Sequence, residues 1–163
     1  MADTPPSLRF LLAHPAHFLA CGLGSGLAPK APGTFGTLFA WISYPLLPAL
    51  FPGEAALLGF LALAFVVGVW AIQRTGQALG EPDHGSIVWD EIVPFWFVLV
   101  LTPPSLAWQA LAFALFRLFD ITKPQPARWF DRNLKTGFGV MMDDTVAAGY
   151  TLLALALCRH LLG

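Results

Sequence analysis

Residues 92–119 read IVPFWFVLVLTPPSLAWQALAFALFRLF, and this stretch decides how the chain is arranged. It is too long for one level membrane crossing, because about 20 residues cross a bilayer as a helix. Residues 102–105, TPPS, are a strong turn signal. We therefore expect a helical hairpin with arms at residues 92–101 and 106–119. The first arm would be about 15 Å long, so it enters a membrane without fully crossing it unless it is extended at either end.

Three other apolar runs are long enough to predict membrane helices. Residues 54–73 read EAALLGFLALAFVVGVWAIQ and carry no charge between their ends. Residues 34–51 are a second candidate despite Pro45 and Pro48, because neighbouring helices can satisfy the backbone groups that proline frees. Residues 145–157, or 145–162, are the third. Buried helices of a soluble bundle are the alternative for all three.

The composition also favours a membrane protein. Hydrophobic residues make up 56% of the 163 residues and charged residues only 12%, whereas a soluble domain carries about 25% charged residues. The formal net charge of -1 excludes a strongly basic nucleic-acid binder, so we expect no nucleic-acid partner. We predict one all-α domain over residues 1–163, a multipass helical bundle embedded in a lipid bilayer.

Most of the carboxylates lie in two polar segments between the apolar runs. The first segment holds Glu81, Asp83, Asp90 and Glu91, and the second holds Asp120, Asp131, Asp143 and Asp144. Charge next to hydrocarbon is costly, so it is usually retained where it binds an ion, carries protons or meets a polar substrate. A hairpin returns the chain to the side that it left, so it lets the two segments meet. A single kinked span would place them on opposite faces.

The basic residues predict which side this is. Eight of the nine fall in loops on the side of the acidic segments: Arg9, Lys30, Arg74, Arg117, Lys123, Arg128, Arg132 and Lys135. Arg159 alone lies beyond the last predicted span. The positive-inside rule therefore places the acidic segments, and an active site built from them, at the cytoplasmic face.

A glycine-rich loop precedes the first predicted span. Residues 24–37 read GSGLAPKAPGTFGT, which resembles an anion-binding loop, because glycines let the backbone approach a ligand and helix-start N–H groups favour negative charge. The pattern is not a P-loop. We interpret Lys30, Gly33, Thr34 and Thr37 as candidate phosphate-binding residues. A Gly/Pro turn that leads into a membrane helix is the alternative.

Paired acids stand directly before an apolar segment at two places, Asp90 with Glu91 and Asp143 with Asp144. Capping of a helix would explain one acid at each place but not the pair. Together with Asp120, the pairs would form a cage for one or two divalent cations, and Mg²⁺ prefers such carboxylate oxygens. We predict that these five residues are metal ligands and catalytic residues.

Residues 116–124, FRLFDITKP, mix one acid with two bases at the end of an apolar segment. Arg117 and Lys123 suit phosphate oxygens, with Asp120 as a metal ligand. The alternative is a salt-bridged helix terminus that Pro124 and Pro126 simply end.

Taken together, over residues 22–149, these motifs resemble the phosphatidylglycerophosphatase A family of bacterial lipid phosphatases. The resemblance rests on PGTFGT at 32–37, IVWDE at 87–91, FDITKP at 119–124 and MDD at 142–144. It implies Mg²⁺-dependent removal of the terminal phosphate of phosphatidylglycerophosphate, which gives phosphatidylglycerol at the cytoplasmic face of the inner membrane. Pro94 departs from the glycine expected shortly after the Asp-Glu pair, and this concerns the local backbone path more than the activity.

For such a phosphatase we expect a metal-bound water to attack the phosphomonoester, with Lys30 and Lys123 or Arg117 neutralising the phosphate. An aspartyl-phosphate intermediate on one of the acids is the alternative. We interpret Glu81 and Asp131 as peripheral residues.

Two other classes of protein are also considered. A transporter or channel could use the loop carboxylates as a path for protons or cations, although coupling ions usually bind inside the spans and these acids cluster at helix ends. An alcohol phosphotransferase of lipid synthesis also uses divalent metal at the membrane surface, but its Asp-Gly-x2-Ala-Arg…Gly-x3-Asp-x3-Asp pattern is absent from the sequence.

Overall fold

The computed structural model describes residues 5–162, and over that range the chain is helical, with no strand. The helices are α1 (Leu8–Ala13), α2 (Pro15–Ala20), a 3₁₀ helix (Gly22–Leu27), α3 (Pro32–Ser43), α4 (Leu46–Leu50), α5 (Glu54–Leu79), α6 (Trp89–Leu101), α7 (Leu106–Thr122), α8 (Ala127–Asn133) and α9 (Gly137–Leu162). The all-α prediction is confirmed.

The predicted hairpin is formed by α6 and α7. The turn is closed by Thr102, whose hydroxyl donates to the Val98 carbonyl at 2.7 Å, and by Ser105, whose hydroxyl accepts from the Trp108 N–H at 3.3 Å. Both arms are longer than expected, by three residues at the start of α6 and by three at the end of α7. The α6 helix packs against α3, α5 and α9 and is buried along most of its length, so it is the central helix of the bundle.

Within the described residues, two helices are long and apolar enough to cross a membrane, Glu54–Leu79 and Gly137–Leu161. The predicted span at residues 34–51 is wrong as a single helix, because the chain divides there into α3 and α4. The break falls at Pro45, which has no N–H to donate to a preceding turn.

The last helix begins earlier than the sequence predicted. It starts at Gly137, whose N–H donates to the Gln73 side chain at 2.8 Å and whose Cα lies against the Val69 carbonyl of α5. Asp143 and Asp144 therefore lie within α9 and do not precede a helix, so that part of the prediction is wrong. The tight contact with α5 explains the early start, because it lets the helix form before the apolar run.

The helix directions bring the polar segments together. The α3, α6 and α9 helices begin at one end of the bundle, and α5 and α7 end there, as the contacts of Glu91 with Thr37 and Arg117 and of Gly137 with Gln73 require. The N-terminal helix α2 packs on α5 near this end, where the His17 ring is 3.0 Å from the Thr75 hydroxyl. The two acidic segments share this end, as the hairpin predicted.

Candidate functional site

Seven carboxylates converge at the end of the bundle where α6 and α9 begin and α7 ends. They form three overlapping groups, within each of which one oxygen per residue lies within 4.8 Å of the others. The groups are Asp90, Asp143 and Asp144; Glu91, Asp120 and Asp144; and Asp83, Asp131 and Asp143. We call these seven residues the carboxylate cluster. All five of the acids predicted as metal ligands lie in it.

The helices hold four of these acids away from water. Asp90 is 5% exposed, Asp120 8%, and Asp143 and Asp144 each 3%. Asp90 and Glu91 stand in the first turn of α6, where the positive end of the helix dipole favours negative charge. Burial of so many carboxylates at short range is costly unless cations compensate them.

Arg117 is the first of two cations that compensate the carboxylates of the cluster. Its Nη1 lies 2.5 Å from Asp120 Oδ2 and 3.1 Å from Glu91 Oε2, and 3.5 Å from the Thr37 hydroxyl. The guanidinium therefore joins α7 to α6 and α3. Its buried Nε atom has no hydrogen-bond partner among the described residues.

Lys123 is the second cation. Its Nζ lies 2.6 Å from Asp143 Oδ2, 3.1 Å from Asp131 Oδ1 and 3.9 Å from Asp83 Oδ2. Burial alone would lower the pKa of Lys123, but Asp143, Asp83 and Asp144 outweigh it and raise the pKa above its usual value, so the amine stays charged. Lys123 also ends α7 with a left-handed backbone, φ 43°, a conformation that is costly for a residue with a side chain.

Asp90 has no such partner. Its Oδ1 atom is buried without a hydrogen bond among the described residues. Pro94 stands four residues further along α6 and has no N–H, so it cannot give the Asp90 carbonyl its usual helical hydrogen bond. An orphaned buried carboxylate oxygen among other carboxylates is the environment that a divalent cation would satisfy.

The glycine-rich loop reaches the cluster through two of its four candidate residues. Gly33 lies so close to the Glu91 carboxylate that a Cβ atom there would overlap it. The buried Thr37 hydroxyl donates to the Gly33 carbonyl at 2.9 Å and lies 3.4 Å from Glu91 Oε2. Thr34 is half-buried and Lys30 is exposed. Among the residues that the structure describes, neither side chain forms an ion pair or hydrogen bond with the cluster.

Two members of the cluster were not among the predicted ligands. Asp83 opens the same motif as Asp90 and Glu91, and partial burial raises the pKa of its carboxyl, although Lys123 opposes this shift. Asp131, interpreted as peripheral, sits on α8 and contacts the Lys123 ammonium. The only sequence signal for either was its place in an acidic segment. Glu81, the other acid interpreted as peripheral, is exposed and belongs to none of the three groups.

The family model and two of the similar proteins point to the same family. The sequence model of the phosphatidylglycerophosphatase A family matches residues 18–159. The chain is 46% identical over 157 residues to phosphatidylglycerophosphatase A of Haemophilus influenzae, covering 95% of each chain. It is 42% identical over 143 residues to phosphatidylglycerophosphatase A of Escherichia coli, covering 85% of this chain and 80% of that protein. It is 40% identical over 151 residues to a putative phosphatidylinositol-3-phosphatase of Bacteroides thetaiotaomicron, covering 89% and 94%. No solved structure matches the chain.

The contacts of Lys123 predict that its replacement lowers the stability of the protein more than replacement of Lys135 does. Lys123→Ala should lower the free energy of unfolding by about 2–4 kcal/mol, because it leaves the buried Asp143 carboxylate without its cation. Lys135→Ala is the matched control, since its exposed ammonium lies 4.0 Å from Asp131 and its removal should change stability by no more than about 0.5 kcal/mol. Thermal unfolding of the detergent-purified proteins measures both. Equal unfolding temperatures would show that Lys123 does not hold the cluster together.

Proposed function

The chain belongs to the phosphatidylglycerophosphatase A family, and we propose that it hydrolyses the terminal phosphomonoester of phosphatidylglycerophosphate to phosphatidylglycerol and inorganic phosphate. The observation that carries this proposal is the carboxylate cluster, with Arg117 inside it, at the polar end of an apolar bundle. The family relationship favours a phosphatase over a transporter or a phosphotransferase. The two relatives named phosphatidylglycerophosphatase A favour phosphatidylglycerophosphate as the substrate, and a third relative is named for a different lipid phosphate.

We propose Mg²⁺ as the cofactor because of the charges in the carboxylate cluster. Lys123 pairs with Asp83, Asp131 and Asp143, and Arg117 pairs with Glu91 and Asp120, so two cations face seven carboxylates. Asp90 and Asp144 lack a cationic partner among the described residues, and Asp90 Oδ1 lacks any donor. We therefore assign Asp90, Asp143 and Asp144 as the first metal site, and Glu91, Asp120 and Asp144 as a second. A bound Mg²⁺ supplies Lewis-acid stabilisation of the phosphate charge.

Arg117 is the residue best placed to bind the substrate phosphate. Its guanidinium lies in the cluster and presents a planar fork of donors that suits phosphate oxygens, and its contacts with Glu91, Asp120 and Thr37 are all made through Nη1. Lys123 is already held by three carboxylates, so we assign it to positioning Asp143. Lys30, exposed at the loop, stays a prediction as a phosphate ligand.

Two nucleophiles fit this arrangement. In the first, a carboxylate of the cluster takes a proton from water, the water oxygen bonds to phosphorus, and the glycerol oxygen leaves and is protonated. In the second, a carboxylate oxygen bonds to phosphorus while the glycerol oxygen leaves and is protonated, and water then hydrolyses the aspartyl phosphate to phosphate and the free carboxylate. Both end in the same products, and both need the phosphate charge to be neutralised by Arg117 and by the cation.

We propose that the protein is a multipass protein of the bacterial inner membrane with the cluster at the cytoplasmic face. The two helices long enough to cross, α5 and α9, support a membrane location. Exposed apolar side chains on α5, such as Leu63 and Val66, would face lipid. Exposed Trp70 and Trp129 are typical of the membrane interface. The positive-inside rule supplies the orientation.

Replacement of a carboxylate of the first metal site should nearly abolish activity. We expect Asp90→Asn and Asp144→Asn to lower kcat/KM for phosphatidylglycerophosphate by about 1,000-fold or more, because each removes several kcal/mol of charge stabilisation. Asp131→Asn should cost about tenfold or less, since Asp131 belongs to neither proposed metal site and contacts Lys123. Glu54→Gln, at the far end of α5, is the neutral control. Phosphate release by detergent-purified protein with Mg²⁺ or EDTA measures the effect, and an Asp131→Asn protein as inactive as Asp90→Asn contradicts the assignment.

Metal binding should appear in stability as well as in turnover. Mg²⁺ at 100 times its dissociation constant should stabilise the wild-type protein by about 2.7 kcal/mol. Asp90→Asn should be more stable than wild type without metal, by about 1–2 kcal/mol, because it removes a buried unpaired charge. It should gain little from Mg²⁺, whereas Glu54→Gln should respond as wild type does. A thermal-unfolding titration checks this, and an unchanged Mg²⁺ response in Asp90→Asn would remove Asp90 from the metal site.

The orientation predicts which surface residues a membrane-impermeant maleimide can reach. In a Cys21→Ala/Cys158→Ala background, Glu54→Cys should be labelled in spheroplasts and Lys135→Cys only in inverted vesicles. Both side chains are exposed and lie at opposite ends of the bundle. The reverse pattern would place the cluster outside the cytoplasm, and labelling of both from one side would contradict the membrane crossing.

A further inference from the structure

A groove of about 420 Å³ opens on the side of the bundle between α5, α6 and α9. Its lining is apolar and includes Ala62 and Phe65 of α5, Pro94 and Phe97 of α6, and Ala148 of α9. Thr145 is the one hydroxyl residue among the lining residues, and its hydroxyl already donates to the Met141 carbonyl at 2.7 Å. The groove therefore offers a ligand apolar surface and almost no hydrogen bonds.

The groove begins directly beside the carboxylate cluster. Pro94 follows Asp90 by four residues on α6, and Ala148 follows Asp144 by four residues on α9. Residues four apart share one face of a helix, so the groove starts one turn from Asp90 and Asp144, two of the three acids of the first metal site. On α5 the groove runs from Val66 to Leu58, eight residues or about 12 Å toward the other end of the bundle.

The outer rim of the groove is also apolar and exposed. Leu58 is 44% exposed, Val66 65% and Phe97 38%. Leu58 and Val66 belong to α5, one of the two helices that could cross a membrane. If α5 crosses a membrane, a groove with such a rim is open sideways to lipid. The end of the groove next to Pro94 and Ala148 lies beside the carboxylate cluster.

We propose that this groove binds one acyl chain of the phospholipid whose phosphate is hydrolysed at the carboxylate cluster. The inference rests on the proposed function, and it assigns an occupant because the two surfaces together match one amphipathic ligand. The polar end takes the phosphate and the apolar groove takes the chain. Binding energy from the chain, remote from the reacting phosphorus, then helps to hold the phosphate at the acids.

The test fills the groove without touching the cluster. Ala62 lines the groove and is exposed, so Ala62→Trp should fold normally and occupy the space of the chain. We expect it to lower kcat/KM for long-chain phosphatidylglycerophosphate by about tenfold or more and to leave kcat/KM for a short-chain, water-soluble analogue unchanged. Leu63→Trp is the matched control, because Leu63 is the next residue of α5, is exposed and does not line the groove. It should behave as wild type with both substrates.

Two outcomes would overturn the groove assignment. Ala62→Trp could match Leu63→Trp with the long-chain substrate, or it could lower the activity toward both substrates equally. Crosslinking of a phosphatidylglycerophosphate that carries a photoreactive diazirine in one acyl chain gives a readout that does not need turnover. Adducts on groove residues of α5, α6 and α9 that Ala62→Trp removes and Leu63→Trp retains support the assignment, and adducts spread evenly around the bundle contradict it.

Failure of the proposed function would look different. A wild-type protein that releases no phosphate from either substrate contradicts the phosphatase proposal, and the crosslinking pattern then decides the groove by itself. A wild-type protein that hydrolyses both substrates equally well, with no acyl adducts in the groove, contradicts the groove alone.

Discussion

Mutual repulsion among seven clustered carboxylates, four of them buried, is the constraint on which the rest of this structure depends. Charges this close, in surroundings that exclude water, repel far more strongly than they would in solution. Two side chains relieve part of the repulsion, and each does so across helices. Arg117 joins α7 to α6 and α3, and Lys123 joins the end of α7 to α8 and α9. The ion pairs that make the cluster tolerable are therefore also contacts that close the polar end of the bundle.

The same constraint explains the local irregularities near the site. Lys123 adopts a left-handed backbone, and this cost is offset by placing its ammonium among three carboxylates. Pro94 removes a helical hydrogen bond next to Asp90, whose side chain is itself unsatisfied. Such features lower the stability of the protein without its ligands. Sites that bind ions or develop charge commonly accept this cost, because a fully satisfied cluster would have nothing left to offer a cation.

The sequence predicted the parts of the site that follow from chain direction. The TPPS turn predicted a hairpin, the hairpin allowed the acidic segments to meet, and the five predicted ligands do meet. The start of α9 was not predictable in this way, because two adjacent acids before an apolar run look like a helix start. The contact of Gly137 with α5 and the pairing of Asp143 with Lys123 are long-range, and they allow the acids to lie inside the helix. Asp83 and Asp131 were missed for the same reason, since only the fold brings Lys123 between them.

The length of α6 determines how deep the turn of the hairpin would lie in the membrane. The α6 helix has 13 residues and is about 20 Å long, less than the roughly 30 Å of a bilayer core. With the cluster at the headgroup level, as we propose, the turn lies within the hydrocarbon core, where every backbone donor needs a partner. Pro103 and Pro104 have no N–H, and the Thr102 and Ser105 N–H groups donate to the Leu99 and Pro103 carbonyls at 3.2 and 2.8 Å. Because two of its residues are prolines and its two N–H groups are hydrogen-bonded, this turn can lie in lipid at the end of a short helix. The sequence feature that brings the acids together therefore also suits the depth at which the hairpin would end.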